Sequence, residues 1–223
     1  MANIVVIGGG TGSYAILSGL KQLTGHQLTA IVPATDSGGS TGRLRDEFGF
    51  LPVGDVRQCL VALAENQDES LSLRELLSYR FDKGGDGLAG HNLGNLLLTA
   101  LTDISGGEIQ AIAILEKLLN IQGHVYPVSL TKTNLVAEYE NGETVSGEHK
   151  IDEPAYPHDG RVRIANLHAT PKVRTHKLVK EAIADADVII MGPGDLYTSL
   201  IANLVVGGVA EALQAAKAKF VYI

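Results

Sequence analysis

The chain has 223 residues, 45% apolar, 19% charged and 5% aromatic, a balance that excludes a disordered segment and fits one large globular domain. Eighteen basic against 25 acidic residues leave a net charge of −7, which argues against a nucleic-acid partner gathered by a positive field. Cys59 is the only cysteine, so no intrachain disulfide or multi-cysteine metal site can form, and a reducing cytoplasm is the expected setting; no apolar run has the length of a membrane span and no signal segment is read at the start.

Residues 4–7 are a short β-branched apolar run, followed by four glycines within 8–12 and then by Tyr14, Ile16, Leu17 and Leu20 at helical spacing. That order reads as strand, glycine turn, helix. Residues 28–32 form a second continuous apolar run, the pattern of a strand covered on both faces in a parallel sheet. Residues 36–54 break the rhythm and are expected to be a long, polar, functional loop. Apolar spacing predicts helices over 55–63, 71–79, 92–101 and 108–121, a helical insertion spanning about 55–121. Strands are expected over 125–130 and 134–139, with Asn141-Gly142 as a hairpin turn, and over 161–167, so that an antiparallel excursion covers about 125–168. A helix over 177–186 and a strand over 188–191 restore the βα rhythm, helices follow over 196–206 and 209–218, and 220–223 begins another strand. Ending inside a strand pattern is the mark of a C-terminally truncated chain. No repeat or low-complexity tract is present, and the fold class is α/β with a mainly parallel sheet.

Four loops could carry chemistry. Gly9, Gly10, Thr11 and Gly12 lead into a helix N-terminus, where free N–H groups and a partial positive charge suit a phosphate, although Ser13 occupies the last glycine position of a dinucleotide fingerprint and no GK[ST] follows. Asp36, with Ser37, Gly38 and Gly39, follows the second strand, where a carboxylate takes a ribose hydroxyl or holds a divalent cation such as magnesium against a diphosphate. Asp55 is the candidate second carboxylate, or else a first-turn acid of its helix. Arg43, Arg45 and Arg57 could neutralise phosphate, or pair at the surface. His91, Asn92 and Asn95 place an imidazole and two amides at one helix N-terminus, suited to a base, sugar or phosphate, while Asn92 alone also fits a cap. Gly192, Gly194, Asp195, Tyr197 and Thr198 repeat the strand-to-helix logic, with Tyr197 able to stack on a base and Asp195 able to cap the helix. The remaining histidines, His26, His124, His149, His158, His168 and His176, have no zinc spacing and are read as surface or core fillers, and no GxSxG elbow exists.

Together GGGTG, TDSGGSTGRLRDEFGFLPVGDVRQCL, LAGHNLGNLLL and GPGDLYTSLIANLV resemble the YvcK-type gluconeogenesis factors, which are related to 2-phospho-L-lactate transferase, and the resemblance runs over residues 5–223. It implies a Rossmann-like three-layer fold, a cytoplasmic bacterial protein, and binding of a UDP-sugar, notably UDP-N-acetylglucosamine, with no cofactor required and no turnover, in a role tied to gluconeogenic carbon sources, cell shape and wall synthesis. It also implies protein partners in wall synthesis and admits a homo-oligomer. By motif position residues 9–12 and 92–95 would face the nucleotide diphosphate and residues 192–198 would close its other side. The transferase relatives imply an alternative, magnesium-dependent phosphoryl-group transfer through Asp36 and Asp55; the glycine turn alone suggests a second, NAD binding. Ser37 stands where the family commonly has a second Asp, and Thr41 where it has Ser, which weakens the metal case. The family extends beyond the position matching Ile223.

Overall fold

The computed structural model describes residues 1–65, 73–154 and 159–223, so that Leu71 and Ser72 of one expected helix, and His158, lie outside the described residues. Five parallel strands form the central sheet in the order β3-β2-β1-β7-β8: β1 (Ala2–Ile7), β2 (His26–Val32), β3 (Gly123–Pro127), β7 (Val188–Met191) and β8 (Lys219–Tyr222). Alternate residues of β1 enter different cores. Ile4 and Val6 pack with Leu17, Cys59, Leu60, Leu98 and Leu115 from helices α1 (Gly10–Leu20), α3 (Gly54–Leu63), α6 (Leu93–Ser105) and α7 (Glu108–Leu118). Val5 and Ile7 pack with Val179, Ile183 and Val209 from α9 (Lys177–Ala184) and α11 (Val209–Ala215). Both faces of the strand are dry, which is why its sequence is apolar without alternation.

Between β3 and β7 a three-stranded antiparallel sheet, in the order β5-β4-β6, is built from β4 (Asn134–Tyr139), β5 (Thr144–Ser146) and β6 (Ile164–Thr170). The Asn141-Gly142 turn joins β4 to β5 as expected, with Gly142 at φ +87° and its N–H donating to Tyr139 O at 2.9 Å. A smaller core of Leu135, Ala137, Tyr139, Ile151 and Ala202 lies beneath this sheet. The short helices are α4 (Leu73–Ser78), α5 (Gly85–Leu88), α8 (Glu148–Asp152) and α10 (Ala202–Leu204). Among the described residues no helix is long and apolar enough to cross a membrane.

Three expectations are corrected. The polar stretch 36–54 is not one loop, because α2 (Gly39–Phe48) occupies its middle. Its buried face is Ser40, Thr41, Leu44 and Arg45, a helical spacing with one apolar member, so no hydrophobic stripe announced it. Arg45 holds that face in place by donating to Asn134 Oδ1 of β4 and, at 3.4 Å, to Asp36 O. Second, the run 125–130 does not open the antiparallel part: β3 lies parallel to β2, with Leu28 opposite Gly123 and Val32 opposite Pro127. A short apolar run reports burial, not the sheet it joins. Third, the helix expected over 196–206 begins as a π-helix, Leu196–Ile201, before a single α turn.

Strands β1 and β7 are neighbours, yet the chain leaves β1 toward β2 and leaves β7 toward β8. The loops beyond their carboxyl ends therefore diverge, which opens a crevice at this switch point.

Candidate functional site

A cavity of about 290 Å³ occupies that crevice. Gly9, Gly10, Thr11 and Gly12 line it from the end of β1, Pro33 and Asp36 from the end of β2, Gly194 and Asp195 from the end of β7, and Thr198 and Ser199 from the π-helix. Asp55 reaches it from α3, and Glu148 and Asp152 from α8.

Helix α1 starts at this cavity without a side-chain cap. Gly10, at φ +59°, donates its N–H to Asp55 Oδ1 at 2.7 Å, while the following N–H groups of the first turn have no intrahelical carbonyl to reach. Two glycines have separate reasons. A Cβ on Gly10 would touch nothing, so its constraint is the left-handed backbone, whereas a Cβ on Gly12 would lie 1.9 Å from Pro193 O, so its constraint is the packing of the β1 loop on the β7 loop.

Acids dominate the walls: Asp36, Asp55, Glu148, Asp152 and Asp195 all line the cavity. Burial, and then the Asp36 charge, push the Asp55 carboxyl up to about 7 against the Gly10 N–H bond. Burial likewise raises Asp36, which accepts from Gly38 N–H at 2.9 Å and is held down in part by Thr41, Arg45 and His149. Glu148 is pushed up to about 7 by burial, then by Asp36. Asp152 is raised by burial, then by Asp195. Asp195 caps the π-helix, accepting from Tyr197 N–H at 2.9 Å, Thr198 N–H at 2.8 Å and Thr198 Oγ1–H at 2.8 Å. Helix α8 is docked by reciprocal bonds, Ser37 N–H to Glu148 Oε2 at 3.3 Å and His149 N–H to Ser37 Oγ at 3.1 Å.

Asp36 and Asp55 fit a divalent cation by their chemistry. Two carboxylates on one cavity, each raised by desolvation and one further by the other, are relieved by a shared positive charge. Glycine lets them sit close: a Cβ at Gly9 would lie 2.7 Å from Asp55 Oδ2, and one at Gly54 would lie 2.9 Å from Asp36 Oδ2. No group of three or more His, Cys, Asp and Glu side chains among the described residues is arranged to hold a metal by itself, so a cation here would need ligand or water oxygens as well.

Other expected site residues are placed elsewhere. Asn92 caps α6, accepting from Gly94 N–H at 3.0 Å and Asn95 N–H at 3.4 Å and donating to Ser78 O at 2.9 Å. Asn95 is buried among Arg57 Nε, Ser40 Oγ and Thr41 Oγ1. His91 and Arg43 belong to a separate turn. Gly192, at φ +87°, would bring a Cβ within 2.7 Å of Ile223 O, so it serves strand packing. Ser37, Gly38 and Gly39 hold α8 and start α2. Tyr197 lines an adjoining cavity of about 280 Å³ with Tyr139, Val162 and Arg163, and the two cavities share Asp152, Asp195 and Thr198. The sequence reading missed Glu148 and Asp152, whose only local sign was Gly147, a helix start at φ +107°.

A family model described as 2-phospho-L-lactate transferase CofD matches residues 4–223. The chain belongs to the CofD family. Within it the chain is 45% identical over 222 residues to the gluconeogenesis factor of Halalkalibacterium halodurans and 42% identical over 221 residues to that of Bacillus subtilis, covering 99% of this chain and 66% of each relative. A crystal structure from Bacillus halodurans, described as a member of the UPF0052 family, superimposes with a TM-score of 0.90 at 43% identity, covering 100% of this chain and 68% of that one. The chain thus spans about two thirds of these relatives, and 46% of a curated Nostoc relative to which it is 47% identical.

Proposed function

We propose that this CofD-family chain binds a nucleotide diphosphate sugar, of the UDP-N-acetylglucosamine kind, as a cytoplasmic regulator of carbon use and wall synthesis. The observation that carries the reading is the uncapped first turn of α1 opening into a cavity at the switch point of the sheet. Five carboxylates around that turn would repel a bare diphosphate, so the ligand arrives with magnesium, held by Asp36 and Asp55. The bound cation supplies charge neutralisation and orientation of the diphosphate. The N–H groups of Thr11 and Gly12 meet phosphate oxygens, and the adjoining cavity with Tyr139, Arg163 and Tyr197 takes the remainder of the ligand.

Phosphoryl-group transfer is the second reading, favoured by the family's name and by Asp55 and Glu148, which titrate near 7 where a general acid or base works best. Calorimetric titration of UDP-N-acetylglucosamine, UDP-glucose, GDP and NAD, each with magnesium and with chelator, tests both, on this chain and on the longer Bacillus subtilis relative. Magnesium-dependent UDP-sugar binding with no nucleotide product over hours supports the regulator. Release of a mononucleotide or phosphate supports the transferase, and preference for NAD without metal contradicts both.

A further inference from the structure

The sheet has a second hollow at its other end. Asn3, Gln27 and His124 are the second residues of β1, β2 and β3, so they mark the amino ends of the strands, opposite the crevice. Two residues on, Val5, Thr29 and Tyr126 share their face of the sheet, the one that α9 covers over β1. Helix α9 and its C-cap turn one flank toward them, with Leu178, Glu181, Ala182 and Asp185 at i, i+3, i+4 and i+7. A cavity of about 200 Å³ lies between strands and helix, and it shares no lining residue with the crevice.

Its walls are of three kinds. Val5, Leu178 and Ala182 are apolar. Tyr126 and His124 form an aromatic wall, stacked at 5.6 Å and 12°, with the imidazole fixed by Nδ1 to Glu116 Oε2 at 3.3 Å. The third kind is oxygen with unspent capacity. Thr29 is 9% exposed, yet among the described residues its hydroxyl makes no hydrogen bond. Among the same residues the Asp185 carboxylate has no partner, although the Asp185 backbone carbonyl accepts from Asn3 Nδ2–H at 3.0 Å. Glu181 gives Oε1 to Lys177 at 3.2 Å, an exposed pair of the kind that holds weakly and yields to a better partner. Burial, and then the Glu116 and Glu181 charges, push the Tyr126 phenol above its ordinary range, which records a negative field at the ring. Unspent oxygens facing an apolar and aromatic hollow suit a ligand that carries N–H donors and positive charge on a hydrocarbon body.

We propose that this cavity binds a small organic cation, an alkylammonium or alkylguanidinium, whose charged head meets Asp185, Glu181 and the Thr29 hydroxyl while its methylenes lie on Val5, Leu178 and Ala182. The site goes beyond the nucleotide reading and does not depend on it.

Agmatine and putrescine, titrated separately at fixed pH and ionic strength and followed by the ring C–H resonances of His124 and the methyl resonances of Leu178, test the site. The expected result is saturable movement with a Kd on the order of 1 mM, weakened about five-fold or more in Asp185→Asn and about three-fold in Thr29→Val. Asp103→Asn, which removes the same charge from an exposed position on α6, leaves the titration unchanged. Tighter binding of agmatine assigns the site to a guanidinium head, tighter binding of putrescine to an ammonium head, and equal binding to either. Resonances that stay still, equal movement with neutral n-butanol, or an unchanged Kd in folded Asp185→Asn and Thr29→Val proteins overturns the proposal. Shifts confined to the Thr11 and Gly12 amides place the cation in the crevice alone and overturn it too. No nucleotide is present, so failure here leaves the crevice's reading untouched.

Discussion

The first turns of α1 and α6 both stand next to buried polar residues, and both carry residues that sequence reading marks for ligand binding. They differ in what satisfies their donors. At α6 the Asn92 side chain accepts from Gly94 and Asn95 N–H and gives its own amide to Ser78 O, so the turn is closed by the protein itself. At α1 the N-cap is a glycine with no side chain to offer, Asp55 takes the Gly10 N–H, and the donors that follow Gly10 face a cavity. A helix N-terminus is a phosphate site only where the fold leaves its N–H groups unused, and a good capping residue is the sign that it has not.

That contrast can be broken by substitution. Gly12→Ala has the largest expected effect, because its Cβ meets backbone at Pro193 rather than a side chain that can swing away. A loss of about 3 kcal/mol is expected in urea unfolding. Asn92→Ala removes two cap bonds and leaves Ser78 O unpaired, for about 2 kcal/mol, with nucleotide affinity of the folded protein unchanged; a large loss of affinity by calorimetry would make α6 a ligand site after all. Gly10→Ala inverts the pattern. It costs about 1 kcal/mol for the left-handed backbone, yet abolishes nucleotide binding by turning the first-turn N–H groups away.

A pH slope is the last of these tests. Glu148 is raised from 4.5 to about 7 in the folded chain, so between those values the native state holds a proton that the unfolded chain has released. Its contribution is therefore complete below about 4.5 and is lost as pH rises toward 7. In chelator, Glu148→Gln should flatten the fall in melting temperature across that window. An unchanged slope would place the carboxylate repulsion elsewhere.

Much of the architecture was legible because strands buried on both faces leave a plain record. The runs at 4–7, 28–32 and 188–191 became β1, β2 and β7, and the Asn141-Gly142 hairpin formed where its turn chemistry put it. Helix α2 was illegible because Leu44 is the one large apolar side chain on its buried face, beside Ser40, Thr41 and Arg45, which pack by hydrogen bonding. Residues 9–12, Asp36, Asp55, Asp195 and Thr198 were picked from sequence and do share one cavity. Glu148 and Asp152 were not, since only the fold of the antiparallel region carries α8 back against Ser37, more than a hundred residues away along the chain. Nor does spacing alone say that Asn92 and Asn95 spend their amides inside the protein.

The most direct measurement is a backbone amide NMR titration with UDP-N-acetylglucosamine and magnesium. The amides of Thr11 and Gly12 should shift on binding and Gly94 and Asn95 should stay in place, with no shifts in chelator. Movement of Gly94 and Asn95 with Thr11 and Gly12 unmoved would contradict the account.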